Sequence, residues 1–171
     1  ISQWGHEFRP EYRQLEPVRR RYSDAVCVAM TATATERVRA DIVTSLGIPN
    51  AARFVAGFDR PNLFLAVQPR LDGPLQVRAF LAAHPNQSGI IYCGKKTDVN
   101  ELTAWLVENR HRALPYHADL DDKTRRDNQR AFVRDEAQII VATIAFGMGI
   151  NKSNVRFVVH YHLPSCLEEY Y

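Results

Sequence analysis

A chain of 171 residues, 46% hydrophobic and 24% charged, is long enough to bury a real core and has the balance ordinary for globular proteins. No apolar stretch approaches the ~20 residues that a membrane-spanning helix needs, so no membrane partner is expected. The 22 basic and 19 acidic side chains are interspersed, and the net charge of +3 suits a polyanionic partner without demanding one.

The opening residues lack the basic-then-apolar pattern of a signal peptide. With no initial Met and a last stretch of Glu-Glu-Tyr-Tyr, the chain reads as an excised fragment. Gln3, Trp4, His6, Phe8 and Arg9 crowd two aromatics, an imidazole and a guanidinium around Gly5, a grouping without helical or strand periodicity. Exposed aromatics beside arginine grip single-stranded nucleic acid, each base stack being worth ~1–3 kcal/mol. The competing reading makes Trp4 and Phe8, four apart, one apolar stripe of a helix.

Residues 10–22 have helical spacing through Tyr12, Leu15 and Val18, with three arginines at the end. Residues 25–30 read as a buried strand. Thr35 then caps a helix that runs to Leu46 and stops at Gly47. Residues 53–57 and 63–67 read as two more strands that meet around Pro61 without an intervening helix, which makes 59–62 the best domain boundary. From there the alternation is regular: helix 75–83, strand 89–93, helix 97–109, strand 113–116, helix 121–134, strands 139–142 and 155–160, and a last helix opened by Ser165. This order requires crossover connections and a parallel sheet, an α/β fold. Cys27, Cys93 and Cys166 are odd in number and set among apolar neighbours, so they read as buried free thiols of a reducing, cytoplasmic compartment.

In open α/β sheets ligands bind beyond the carboxyl ends of the strands. Three such ends carry polar or glycine-rich sequence. Strand 139–142 runs into Thr143, then Gly147, Met148 and Gly149, then Asn151 and Lys152; backbone amides and a lysine there favour phosphate. Strand 89–93 ends in Gly94-Lys95-Lys96-Thr97. That stretch falls short of a phosphate loop, because residues 90–93 are strand and Lys96 stands where a magnesium-binding hydroxyl belongs, but it suits a backbone phosphate. His117 follows strand 113–116 on the same rim as Thr143. Thr31 and Thr33 leave strand 25–30 on alternate residues. They serve either as ordinary strand formers and caps or as hydrogen-bond relays. His160, His162 and Cys166 lack the four ligands a zinc site needs, so packing or polar caps explain the two histidines better. Asp119, Asp121 and Asp122 read as helix-start residues, and no nucleophilic triad is visible.

In order and spacing these blocks resemble the RecQ family of superfamily-two DNA helicases across almost the whole chain. The family's aromatic-rich loop is similar to residues 1–12, motif III to Met30-Thr-Ala-Thr-Ala34, and the passage between lobes to Phe58-Asp-Arg-Pro-Asn-Leu63. Motif IV is similar to Gly89-Ile-Ile-Tyr-Cys93, the next segment to Tyr116-His-Ala-Asp-Leu120, and motif V to residues 141–152. Asp119 stands where the family usually has glycine.

The resemblance implies RecA-like lobes: residues 1–61 as the end of the first, and residues 62–171 as most of the second. It implies ATP and Mg2+ as cofactors of the parent protein, none held by this piece alone, and single-stranded and forked DNA as partners. It would make Gln3, Trp4, His6, Phe8, Arg9, Thr31 and Thr33 coupling residues. Trp4, Phe8, Arg9, Gly94, Lys95, His117, Thr143, Gly147, Met148 and Gly149 would lie near DNA or the lobe interface. Asn151 and Lys152 would lie towards the nucleotide. The phosphate loop, magnesium motif and arginine finger have no counterpart here, so the expected activity is that of a 3′–5′ DNA helicase in repair and recombination, with no ATP hydrolysis by the fragment. A nucleoid location in bacteria or a nuclear one in eukaryotes follows from that expectation. The rivals are an RNA helicase of the same superfamily and a non-catalytic nucleic-acid-binding module.

Overall fold

A computed structural model of the chain describes residues 15–31, 34–57, 61–144, 146–147, 150–164 and 170. They fall into two compact units that part between Leu65 and Ala66.

The second unit is a four-stranded parallel sheet covered on both faces. After α3 (Gly73–Ala83) come β1 (Ser88–Tyr92), α4 (Lys96–Glu108), β2 (Ala113–Tyr116), α5 (Asp122–Val133), β3 (Ile139–Ala142) and β4 (Val155–His160). The strand order is β2-β3-β1-β4, and every pairing is parallel. Side chains alternate across the sheet, as the two-residue period of a strand dictates. Ile91, Ile139, Val141 and Phe157 face α3 and α4, where Val77, Leu81, Val99, Leu102 and Leu106 meet them. Ile90, Ile140 and Ala142 face the other way, onto Phe132 of α5 and Phe146 of the β3–β4 crossover. Because both faces are covered, the strands read in sequence as continuous apolar runs rather than alternating ones.

Local chemistry sets the helix starts. Asp72 accepts from Leu75 N–H and Asp121 from Thr124 N–H, each ending an extended residue and opening a helix. The Asp72 cap with Pro74 in the first turn starts α3 two residues earlier than the apolar spacing predicts. Gly89 is required by close approach: a β-carbon there would overlap the Phe157 ring of the neighbouring strand.

The first unit contains α1 (Leu15–Arg21) and α2 (Glu36–Ser45), the latter capped by Thr35 and followed by Gly47 in the left-handed conformation at φ +63°. The strands expected at 25–30, 53–57 and 63–67 do not form; these stretches belong to no sheet among the described residues. Val26, Met30, Phe54 and Phe64 are 90%, 89%, 94% and 93% exposed. The physical reason is pairing. A strand closes its backbone hydrogen bonds only against a neighbour, and β propensity alone cannot supply one.

Candidate nucleic-acid interface

Register brings the expected strand ends to one rim. Tyr92 of β1 is level with Ala142 of β3, and Tyr116 of β2 is level with the same Ala142. The ladder continues one residue further, with Cys93 N–H donating to Ala142 O at 2.8 Å and Thr143 N–H donating to Tyr116 O at 3.2 Å. Gly94, Thr143 and His117 therefore emerge side by side at the carboxyl edge of the sheet.

Each end is held by a different device. The Gly94 N–H donates to His162 Nδ1 at 3.1 Å. His162 Nε2 stands 3.0 Å from Arg70 Nη1 and 3.5 Å from Asp98 Oδ2, and Arg70 also donates to Tyr161 O at 3.2 Å. Lys95 is exposed and occupies the N-cap of α4 without a side-chain capping bond, at the start of a 13-residue helix whose first turn also carries Asp98. The lysine and the uncapped start favour an anion. Across the rim, Lys96 Nζ donates to Asp119 Oδ1 at 2.5 Å, and this bond holds the Asp119 carboxyl below the usual carboxylate range. Asp119, where glycine was the expected family residue, thus ties the β2–α5 loop to the start of α4.

His117, expected to make phosphate or coupling contacts, lies beneath the rim surface. It is buried, 3% exposed, with Nε2 at 2.9 Å from Asn100 Oδ1 of α4 and Nδ1 without a partner among the described residues. A ring so enclosed cannot touch a strand lying on the surface; it pins β2 to α4 beneath the rim. Asn100, three residues beyond Thr97 on an exposed face, gave no sign of this role in the sequence.

The loop after β3 is fixed from inside. Thr143 O accepts from Phe146 N–H at 3.1 Å, and Phe146 is buried edge-to-face against Tyr116, with centroids 4.6 Å apart. The Tyr92 hydroxyl donates to Phe146 O at 2.7 Å, and burial pushes that hydroxyl's pKa up, so it stays a donor. Gly147 follows at φ +144°, where a β-carbon would come to 3.0 Å from the same hydroxyl. Beside them Cys93 is 3% exposed, and its thiol is pushed up to about 12, chiefly by burial and then by the Asp98 charge. It is an inert core residue.

Lys152, expected towards a nucleotide, has a side chain 2% exposed, and its Nζ donates to Asp135 Oδ1 at 2.5 Å. Asp135 neighbours Ser88 and Asn154, which precede or open β1 and β4, so this ammonium lies at the amino rim, opposite the edge where Gly94 and Thr143 emerge. Asn151 is exposed next to it, and Thr31 is exposed in the first unit. Gln3, Trp4, His6, Phe8, Arg9, Thr33, Met148, Gly149, Cys166 and the helix opened by Ser165 lie outside the described residues. His160 stacks on Tyr92 at 5.6 Å and His162 takes the Gly94 amide, the packing and capping uses expected of them. Among the described residues no cluster of three or more His, Cys, Asp or Glu could hold a metal ion. None of the described helices is long and apolar enough to cross a membrane.

A parallel sheet sheathed by helices, with its polar loops gathered at the carboxyl rim, defines the second unit as a RecA-like lobe, and residues 74–171 match the helicase conserved C-terminal domain family. Over all of its length the chain is 43% identical to the ATP-dependent DNA helicase RecQ of Haemophilus influenzae and 40% identical to that of Bacillus subtilis. A crystal structure of a DEAD box protein from Methanococcus jannaschii aligns with 57% of the chain at 27% identity and a TM-score of 0.51, covering 27% of that protein. The chain belongs to the RecQ family of helicases. It spans only 28% of the Haemophilus relative and 29% of the Bacillus one.

Proposed function

We propose that the chain is the end of the first and most of the second motor lobe of an ATP-dependent 3′–5′ DNA helicase acting in repair and recombination, divided at residues 61 and 62. The observation that carries this reading is the alignment of Gly94, Thr143 and the segment after Tyr116 on one rim, beside Lys95 at an uncapped helix start. Successive phosphates of a single strand, or of the single-stranded arm of a fork, would lie along that rim, with Lys95, the Gly94 loop and the 143–149 loop against the backbone. Sequence-independent contact of this kind is electrostatic and weakens with salt. His117 serves it indirectly by holding β2 against α4. Trp4, Phe8 and Arg9 would grip bases, while Gln3, His6, Thr31 and Thr33 would relay occupancy to the nucleotide site.

ATP with Mg2+ would supply the energy, through closure and opening of the lobes around the nucleotide. Of the described residues Asn151 is the remaining candidate to approach it, since Lys152 is engaged elsewhere. The magnesium ligands and the phosphate loop would come from other parts of the parent, so this piece alone hydrolyses no ATP. The parent would act where DNA is, in the nucleoid or the nucleus.

The test is unwinding by the full-length protein. Duplexes with a 3′ single-stranded tail should separate in the presence of ATP and Mg2+, those with a 5′ tail should not, and single-stranded DNA should stimulate hydrolysis more than RNA. Stronger stimulation by RNA would make it an RNA helicase. Binding without hydrolysis would make it a non-catalytic module.

A further inference from the structure

The amino rim contains a clamp that the function above leaves unused. Asp135 sits in the turn between α5 and β3 with φ +62°, a left-handed conformation that Asn, Asp and Gly tolerate best. Its Oδ1 accepts from Lys152 Nζ at 2.5 Å, Asn154 Nδ2 at 3.0 Å and Ser88 Oγ at 3.3 Å. These donors come from the end of the β3–β4 crossover, the residue before β4 and the first residue of β1. The clamp closes on an irregularity: Ser88 pairs with Val155 but Gly89 pairs with Phe157, so Arg156 is an extra residue in β4. Arg156 is braced in turn by donating to Ser153 O at 2.8 Å. A bulge at a strand's start is where register can slip, and a slip by one residue turns every later side chain to the opposite face.

We propose that Asp135 is a positioning residue that locks the register of β4 at the amino rim and thereby sets the geometry of the carboxyl rim. With the bulge fixed, Phe157 enters the α3–α4 core, and His162 reaches Gly94, whose N–H donates to its Nδ1. The crossover between β3 and β4 is held at both ends, by Tyr92 on Phe146 and by Lys152 on Asp135. Removing the carboxylate strands an ammonium that is 2% exposed. That ammonium must then swing out to water and draw the crossover's tail with it.

Three substitutions in the full-length protein test the lock. Asp135→Asn keeps a side chain that accepts the left-handed conformation and removes the charge, Lys152→Met keeps the apolar stem, and Lys152→Arg keeps the cation. Hydrogen exchange should quicken in peptides covering 153–162 and 89–94 for the first two variants, stay unchanged over α3, and return towards wild type for the third. The second readout rests on the helicase reading. The DNA needed for half-maximal stimulation of hydrolysis should rise about five-fold or more in the first two variants, with KM for ATP unmoved. The lock is overturned if exchange at those peptides is unchanged or rises uniformly over the whole lobe. It is equally overturned if Lys152→Met alone raises KM for ATP, which would return that lysine to the nucleotide. A wild-type protein whose hydrolysis ignores DNA would refute the helicase reading instead, and the exchange pattern would still decide the lock.

Discussion

The two units begin with similar raw material and end differently. Residues 25–30 and 63–67 are as apolar and β-branched as residues 88–92 and 139–142. In the second unit each run lies between neighbours, and Ile91, Ile140 and Val141 are 0% exposed. In the first unit the runs have no strand beside them among the described residues, and Phe54 and Phe64 are more than nine-tenths exposed at 94% and 93%. Strand propensity is a statement about fitting a pleated, half-buried surface; without that surface the same side chains are merely extended chain. Exposed apolar rows of this kind are where a further element would dock.

Truncation should separate the units most clearly. Phe132→Ala, which empties a fully buried site between α5 and the sheet, should cost ~3–5 kcal/mol in urea unfolding, whereas Phe64→Ala should stay within ~0.5 kcal/mol. Similar losses at both sites would end the contrast. Next in size is Gly89→Ala: an added methyl must displace the Phe157 ring within a packed core, for an expected loss of ~1–3 kcal/mol.

Helix caps give a smaller contrast. Asp72→Ala should cost ~1 kcal/mol, and Thr35→Ala, whose Oγ1 accepts from Val38 N–H at 3.4 Å against 3.1 Å for the Asp72 bond, should cost no more than ~1 kcal/mol. Smallest is the acid response of the clamp. Hydrogen bonding from Lys152, then Asn154, holds the Asp135 carboxyl below its ordinary value of 3.8. A depressed acid stabilises the fold above that value and loses its contribution as pH falls through the folded-state pKa. Melting temperature should therefore drop less steeply below about pH 4 in Asp135→Asn than in wild type. Parallel pH profiles would remove the carboxylate from the account.

The second unit was legible in sequence because its signals are local. Apolar runs of four to six residues gave strands 113–116, 139–142 and 155–160 with their observed bounds. The shared rim followed from chain order alone, since parallel strands put all their carboxyl ends on one edge. What stayed hidden is tertiary. Lys152 looked like a phosphate ligand because it follows a glycine-rich loop, and nothing local shows that Asp135, seventeen residues earlier, captures it at the other edge. The same separation joins Asn100 to His117, which turned an expected surface histidine into a buried one. The first unit's strands were over-read because propensity can be seen in a sequence and a missing neighbour cannot.

The central claim is that the carboxyl rim is the phosphate-binding edge and the amino rim is structural. It is tested most directly by the salt dependence of single-stranded DNA binding by the full-length protein, with Lys95→Ala set beside Lys152→Arg. Lys95→Ala should weaken binding and reduce the steepness of log K against log salt by about 0.7, the loss of one phosphate contact on a single strand, while Lys152→Arg leaves the slope as it was. An unchanged slope for Lys95→Ala, or a lowered one for Lys152→Arg, would contradict the assignment of the two rims.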